Sequence, residues 1–188
     1  TLENEHLSVK YYFSLDDKYY FTPSFDIPKR KFYDFNNLNN SQLDVILFNI
    51  GMIELISYWK LACPKRVYIQ PFKLDDNQIR WWKNLYFNGL GEFFYLNGIK
   101  ENVNDFMEII NESEKSCDKI NIQLKESVLV PVGGGKDSVV TLELLKNKMP
   151  IIPLIINPRG ATTECVTTAG FSDEQVAVIK RTLDPTML

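Results

Sequence analysis

The sequence predicts an α/β protein in two parts: an N-terminal α+β domain over residues 1–122, then the start of a parallel-sheet domain over 123–188. Two observations carry the second part. Val128-Leu129-Val130 and Ile151-Ile152-Pro153-Leu154-Ile155-Ile156 are apolar runs of strand length. Between them lie three glycines and a stretch with apolar residues at helical spacing, Val139, Val140, Leu142, Leu144 and Leu145. Strand, helix, strand is the unit from which parallel sheets are built. The third observation is the boundary, a composition shift near residues 120–127 that follows the polar stretch Asn111 to Lys125.

In chain order, residues 7–27 read as a hairpin. Leu7 to Phe13 and Tyr19-Tyr20-Phe21 are rich in strand formers, and Asp16-Asp17-Lys18 supplies the turn. Ser24 to Asn40, with Pro28 and several Asn, reads as loop; its trio Lys29-Arg30-Lys31 reads as a solvated charge cluster. Ser41 to Lys60 is a helix with Leu43, Ile46, Leu47, Ile50 and Ile53 on the expected buried face, ended by Cys63-Pro64. Val67-Tyr68-Ile69 is a short strand and Asp75 to Phe87 a helix. Asn88 to Gly98 is a glycine-framed turn leading into a buried aromatic segment. Val103 to Ile110 is read as helical and Asn111 to Lys125 as linker. Ser172 to Arg181 is read as a final helix capped by Ser172.

Composition bounds the function. Hydrophobic content of 45% and charged content of 24% are those of a globular protein, and a net charge of -3 argues against a general nucleic-acid or anionic-membrane surface. Three dispersed cysteines, Cys63, Cys117 and Cys165, show no metal spacing and fit a reducing compartment. Thr1 to Lys10 does not read as a signal peptide and no apolar run reaches membrane-span length, so a cytoplasmic setting is expected. Two parallel strands do not make a stable sheet covered on both faces. The second part is therefore expected to be incomplete, with strands 128–132 and 151–156 beside an exposed neighbour position.

The chemistry centres on Ser127 to Lys148. Gly133-Gly134-Gly135 precede Lys136-Asp137-Ser138 at a helix start, where backbone N–H groups lack intrahelical partners and glycine admits a phosphate closely. Walker A fails, because Val130 and Asp137 stand where Gly and Ser or Thr are needed. The dinucleotide GxGxxG fails for want of a further glycine. The stretch is similar to the pyrophosphate-loop (PP-loop) motif SGGxDS. Gly134, Gly135, Asp137 and Ser138 match it, Lys136 takes the free position, and Gly133 replaces the first Ser. That resemblance implies a HUP-like adenine-nucleotide domain that cleaves ATP to AMP and pyrophosphate. Gly133 to Ser138 would hold the phosphates, Asp137 would sit on Mg²⁺, and Asn157, at a strand end, would touch the nucleotide.

A second resemblance covers the whole length. Phe13-Ser14-Leu15-Asp16, Ser57-Tyr58-Trp59-Lys60 with Pro64, Gly89-Leu90-Gly91-Glu92-Phe93 with Asn97-Gly98, and Pro131 to Ser138 together resemble one family. It is the bacterial ATP-dependent UDP-N-acetylmuramoyl-L-alanyl-L-glutamate epimerases, which make D-glutamate for peptidoglycan precursors. The resemblance implies adenylation of the terminal glutamate's α-carboxylate, which makes the α-proton acidic enough for a modest base. It supplies Glu92 as a candidate base and Tyr58, Lys60, Asn97 and Arg159 as candidates for the UDP-linked muramoyl dipeptide. Lys136 would offset charge on the α-phosphate. Each keeps a plain alternative as a surface or core residue. His6, the only histidine, is not expected to be a catalyst. Two other functions stay open. One is another ATP pyrophosphatase of this loop class, tRNA-modifying or amidating, although such enzymes often carry CxxC cysteines or a basic RNA face and this chain has neither. The other is a non-catalytic nucleotide-binding domain.

Overall fold

The computed structural model describes residues 2–3, 6–30 and 38–187; Lys31 of the basic trio lies outside them. The chain divides into two compact units, residues 1–39 with 122–188, and residues 40–121.

The first unit is a mixed six-stranded sheet in the order β1-β2-β5-β10-β9-β8. Its strands are β1 (Leu2–Glu3), β2 (His6–Lys10), β5 (Ser24–Pro28), β8 (Val128–Pro131), β9 (Ile151–Ile156) and β10 (Ala177–Thr182). The three from the C-terminal part are parallel, with Leu129 opposite Ile152 and Val178 opposite Ile155. Helices α4 (Lys136–Leu145) and α5 (Thr162–Thr168) are the crossovers. Leu142 and Val166 on these helices pack on Val130, Val132, Ile155 and Val176 in one aliphatic cluster. The expected βαβ unit is present, and a second one follows it.

Several local readings change. Ser24 to Pro28 is a strand, not a loop, because both of its edges are paired: Val9 lies opposite Phe25 on one side and Arg181 opposite Phe25 on the other. Pro28 is tolerated at the strand's end. Leu7 to Lys10 therefore pairs with β5, and the expected turn at Asp16-Asp17 joins a smaller hairpin, β3 (Phe13–Leu15) with β4 (Tyr19–Phe21). Both Asp residues adopt positive φ, 54° and 50°, in the three-residue loop Asp16 to Lys18 between the paired Leu15 and Tyr19, a conformation that Asp tolerates. The final helix over 172–181 is instead a single 3-10 turn, Asp173–Gln175, followed by β10. Ladders on both sides and the β-branched Val178 and Ile179 outweigh the helical spacing. Arg30 of the basic trio donates to Val176 O at 3.3 Å, a structural use of one charge.

Through β5 and β10, strands from residues 1–39 share a sheet with strands from 122–188. Ile122 belongs to the same unit as residues 123–188, and the N-terminal strands join the sheet of that unit. β8 is an edge strand with no partner on its outer side among the described residues, whereas β9 is paired on both sides. The expected open neighbour position therefore exists at β8 and not at β9.

The second unit packs α1 (Asn40–Trp59), α2 (Asp76–Gly89) and α3 (Gly91–Leu96) with a parallel pair, β6 (Arg66–Ile69) and β7 (Glu108–Asn111). α2 starts with a capping box: Asp75 accepts from Gln78 N, and Gln78 Oε1 accepts from Asp75 N. α1 buries Phe48, Met52, Tyr58 and Trp59, and Ile53 of the expected face is 53% exposed. This helix is apolar nearly all round, so its period does not single out a face. Residues 103–110 are not a helix. Asn102 Oδ1 accepts from Asn104 N, a side-chain turn that competes with helix, and Ile109-Ile110 continue as β7.

Candidate functional site

β8 hands the chain to α4 through the glycine turn. Val132 is still held by the sheet, its N–H donating to Leu154 O at 2.8 Å. From Gly133 to Ser138 no backbone N–H finds an acceptor among the described residues; the next bond is Val139 N–H to Gly135 O. Gly135 is the N-cap, with φ −93° and ψ 170°, and has no side chain to cap with. The Ser138 hydroxyl donates back to Gly135 O at 2.9 Å. Orphan donors and the helix dipole together give this end a positive potential suited to an anion.

The glycines differ in what they permit. Gly134 has φ +81°, and a Cβ there would stand 3.0 Å from Thr162 N and 3.3 Å from Ala161 C. At Gly133 and Gly135 a Cβ would meet nothing within 4 Å. The turn is thus packed backbone to backbone against the start of α5 at Gly134 and open at its other two glycines. Open space is what a phosphate approaching the N–H groups needs. It also shows that glycine at 133, in place of the motif's Ser, is not sterically required. Lys136 Nζ lies 2.6 Å from Asp137 Oδ1, with side chains 86% and 88% exposed. An exposed pair of this kind holds weakly, by about 0–1 kcal/mol, so phosphate and cation can replace it.

Arg159 follows β9 on the next turn. Thr162 Oγ1 accepts from Arg159 N at 3.1 Å and donates to Arg159 O at 3.0 Å. Asn157, two residues earlier, has φ 50°. Its Nδ2 donates to Arg181 O at 2.7 Å and its Oδ1 accepts from Arg181 N at 2.8 Å. Both ends of that amide are used on β10, so Asn157 fixes the strand end rather than offering its side chain to a nucleotide. Cys165 Sγ sits 3.9 Å from Gly134 O.

The candidate residues fall into two groups. Gly133 to Ser138, Asn157 and Arg159 lie past the carboxyl ends of β8 and β9, where parallel sheets hold ligands. Tyr58, Lys60, Glu92 and Asn97 belong to the unit 40–121. There Tyr58 is 5% exposed, a packed residue with little surface for a ligand. Lys60 and Glu92 are exposed, Glu92 in the first turn of α3. Asn97 Nδ2 donates to Phe93 O at 2.8 Å and closes that helix. Among the described residues no three His, Cys, Asp or Glu form a metal cluster. Mg²⁺ carried with a nucleotide needs only one or two protein carboxylates, so Asp137 suits it. The sequence reading missed Thr162, which has 4% exposure. The available signal was Pro158-Arg159-Gly160, punctuation after a strand that implies a shaped turn.

A family profile described as MurL N-terminal domain matches residues 1–188. The chain belongs to the MurL N-terminal domain family. Two curated relatives carry the name UDP-N-acetyl-alpha-D-muramoyl-L-alanyl-L-glutamate epimerase. The one from Xanthomonas oryzae pv. oryzae (strain MAFF 311018) is 29% identical over 98 residues, covering 52% of this chain and 21% of the relative. The one from Micromonospora sp. (strain ATCC 39149 / NRRL 15099 / SCC 1413) is 28% identical over 146 residues, covering 76% and 31%. This member of the MurL N-terminal domain family thus spans about a fifth to a third of the length of those relatives. No solved structure matches the chain significantly. No helix among the described residues is long and apolar enough to cross a membrane.

Proposed function

We propose that the chain is part of an isomerase that converts the terminal L-glutamate of UDP-N-acetylmuramoyl-L-Ala-L-Glu to D-glutamate. In this reading ATP is the activating co-substrate, and the β8–glycine turn–α4 module is a PP-loop that holds it. The observation that carries the nucleotide part is the run of six N–H groups, Gly133 to Ser138, without an acceptor among the described residues, with open space at Gly133 and Gly135. The family match and the relatives' printed names support the substrate.

The turn's N–H groups take phosphate oxygens, and Lys136, released from Asp137, neutralises charge on the α-phosphate. Asp137 would hold Mg²⁺, which would supply neutralisation of phosphate charge. A substrate carboxylate oxygen attacks the α-phosphorus, the bond to the β-phosphate oxygen breaks, and pyrophosphate leaves. The acyl group then withdraws electrons from Cα, so a carboxylate base can take the α-proton from one face, and a proton from solvent is added on the other. Water cleaves the anhydride to the D-glutamyl product and AMP. The family resemblance over Gly89 to Gly98 names Glu92, exposed on α3 of the unit 40–121, as the candidate for that base.

Incubating the full-length protein with the UDP-linked L-Ala-L-Glu substrate, ATP and Mg²⁺ tests the reading. D-glutamate after hydrolysis, formed together with AMP, is the expected result; absence of both overturns it. Asp137→Ala is expected to abolish exchange of labelled pyrophosphate into ATP, and unchanged exchange removes the loop assignment.

A further inference from the structure

Two clamps act on the backbone around one arginine whose own side chain has no partner among the described residues. On the strand side, the Asn157 amide holds the Arg181 backbone in both directions and Asn157 N–H donates to Ile179 O at 2.9 Å. On the helix side, one hydroxyl, Thr162 Oγ1, engages both the N–H and the carbonyl of Arg159, and Thr162 N–H donates to the same carbonyl at 3.3 Å. Gly160, between them, has φ +53°, so the turn is tight. The Arg159 guanidinium makes no hydrogen bond or ion pair among the described residues. A chain that fixes the backbone so fully and leaves the fork-shaped cation idle has prepared it for an anion from outside.

Thr162 faces the other way as well. A Cβ on Gly134 would come within 3.0 Å of Thr162 N and 3.4 Å of its Cγ2. One buried residue therefore touches the glycine turn with its backbone and methyl and holds Arg159 with its hydroxyl. Moving Thr162 would shift both anion-binding elements at once.

We propose that Thr162 is a positioning residue of the nucleotide site. It sets Arg159 at a fixed distance from the glycine turn, so that the guanidinium grips a phosphate of the same triphosphate whose other oxygens the turn holds. This assignment rests on the reading of the turn as an ATP loop. Bidentate contact from Arg159 and N–H contacts from Gly133 to Ser138 would share one polyphosphate, which neither element holds well alone.

The test uses steady-state kinetics of the full-length protein with ATP varied. Thr162→Val keeps the methyl shape and removes the hydroxyl; Thr162→Ser keeps the hydroxyl. Thr162→Val is expected to raise the KM for ATP about tenfold with kcat within about twofold, and Thr162→Ser to stay within about threefold of the parent. Arg159→Ala is expected to raise KM at least as far, and the double variant no further than Arg159→Ala alone, since both remove one contact. An unchanged KM in Thr162→Val, or effects that multiply in the double variant, overturns the assignment. If Thr162→Val does not fold, Arg159→Ala decides, and its unchanged KM overturns the assignment equally. Wild-type turnover that needs no ATP overturns the ATP-loop reading and this assignment with it. ATP-dependent turnover with multiplying effects overturns only the role of Thr162.

Discussion

In the unit 40–121 the interior mixes aromatic rings with aliphatic side chains, and the rings contact one another. Trp59 meets Phe94 and Phe106 edge-on at 6.4 and 5.8 Å, and Phe87 meets the same two phenylalanines at 5.5 Å. In the other unit the cluster beneath α4 and α5 is aliphatic, made of Val, Leu, Ile and Ala on one sheet face. The difference follows from what each unit has to assemble. Three helices and a two-stranded sheet share a core in which large rings meet one another, each good pair adding about 0.5–1.5 kcal/mol beyond its buried area. A twisted sheet presents a regular surface that small branched side chains fill. Its strands come from both ends of the chain, so order is set by pairing between distant segments. The N–H groups of Gly133 to Ser138, without acceptors among the described residues, lie at the end of one such strand and the start of the helix that follows it.

The largest effects should separate the units. Phe106, 1% exposed, lies in the ring cluster, and Phe106→Ala is expected to destabilise by about 3–5 kcal/mol. Leu142, 0% exposed, is the buried residue of α4, and Leu142→Ala is expected to cost about 2–5 kcal/mol. Trp59, Trp81 and Trp82 all belong to the unit 40–121. Tryptophan fluorescence in a urea titration therefore reports that unit alone. Phe106→Ala should shift the fluorescence midpoint and Leu142→Ala should leave it in place. Equal shifts would break the comparison, because the two units would then unfold as one.

Next in size is the contrast within the glycine turn. Gly134→Ala places a side chain at φ +81°, a penalty of about 1–2 kcal/mol before its contact with Thr162 N is counted. Gly133→Ser meets open space and should change stability by less than about 0.5 kcal/mol. It also restores the motif's hydroxyl, so tighter ATP binding is expected by equilibrium titration. Equal thermal midpoints for the two variants would show that the turn does not depend on Gly134.

How much of this was legible follows the range of the interactions. The strands Val128 to Val130 and Ile151 to Ile156, and the helix between them, could be read because apolar period and glycine punctuation act locally. The place of Ser24 to Pro28 could not be read, because what makes it a strand is pairing with Lys180 to Thr182, more than 150 residues away by sequence number. The same pairing hid β10 behind a helical spacing. Within the candidate site the loop was legible as a motif. Thr162 was not, since its hydroxyl bonds to the Arg159 backbone and its approach to Gly134 depend on how the turn after β9 folds, which Pro158-Arg159-Gly160 signals only as a turn. Asn157 was correctly placed at a strand end, but its amide is used on Arg181.

Asp184 ties the C-terminal segment to the N-terminal strands and carries a pH signature. Its carboxylate accepts from Thr22 N at 2.7 Å and Thr22 Oγ1 at 3.1 Å, and from the Thr186 hydroxyl and N–H. The Thr186 hydroxyl first, then the backbone N–H groups of Thr22 and Thr186, lower its pKa from 3.8 to about 2. A depressed folded-state pKa means stabilisation that is complete well above 3.8 and is lost as pH falls through about 2. Asp184→Asn should therefore lower the stability of the sheet unit at pH 7, and its gap to the parent should close between about pH 4 and pH 2. A gap that stays constant over that range would place the effect in packing rather than charge.

The smallest effect probes whether the hairpin β3–β4 belongs energetically to the same sheet. Asp17 has φ 50°, where glycine is unstrained, and Tyr20 Oη donates to the Asp17 carbonyl at 2.8 Å, a bond that a glycine backbone retains. Relief of left-handed strain is worth about 1–2 kcal/mol, less the tolerance Asp already has there and the extra chain entropy of glycine. Asp17→Gly should thus stabilise by under about 1 kcal/mol. Amide exchange locates that gain. Confined to Tyr19–Phe21, it marks the hairpin as a separate local element. Extended to Ala177–Thr182, it shows that the bonds from Thr22 to Asp184 couple the hairpin to β10, and through β10 to the strand end that carries Asn157 and Arg159.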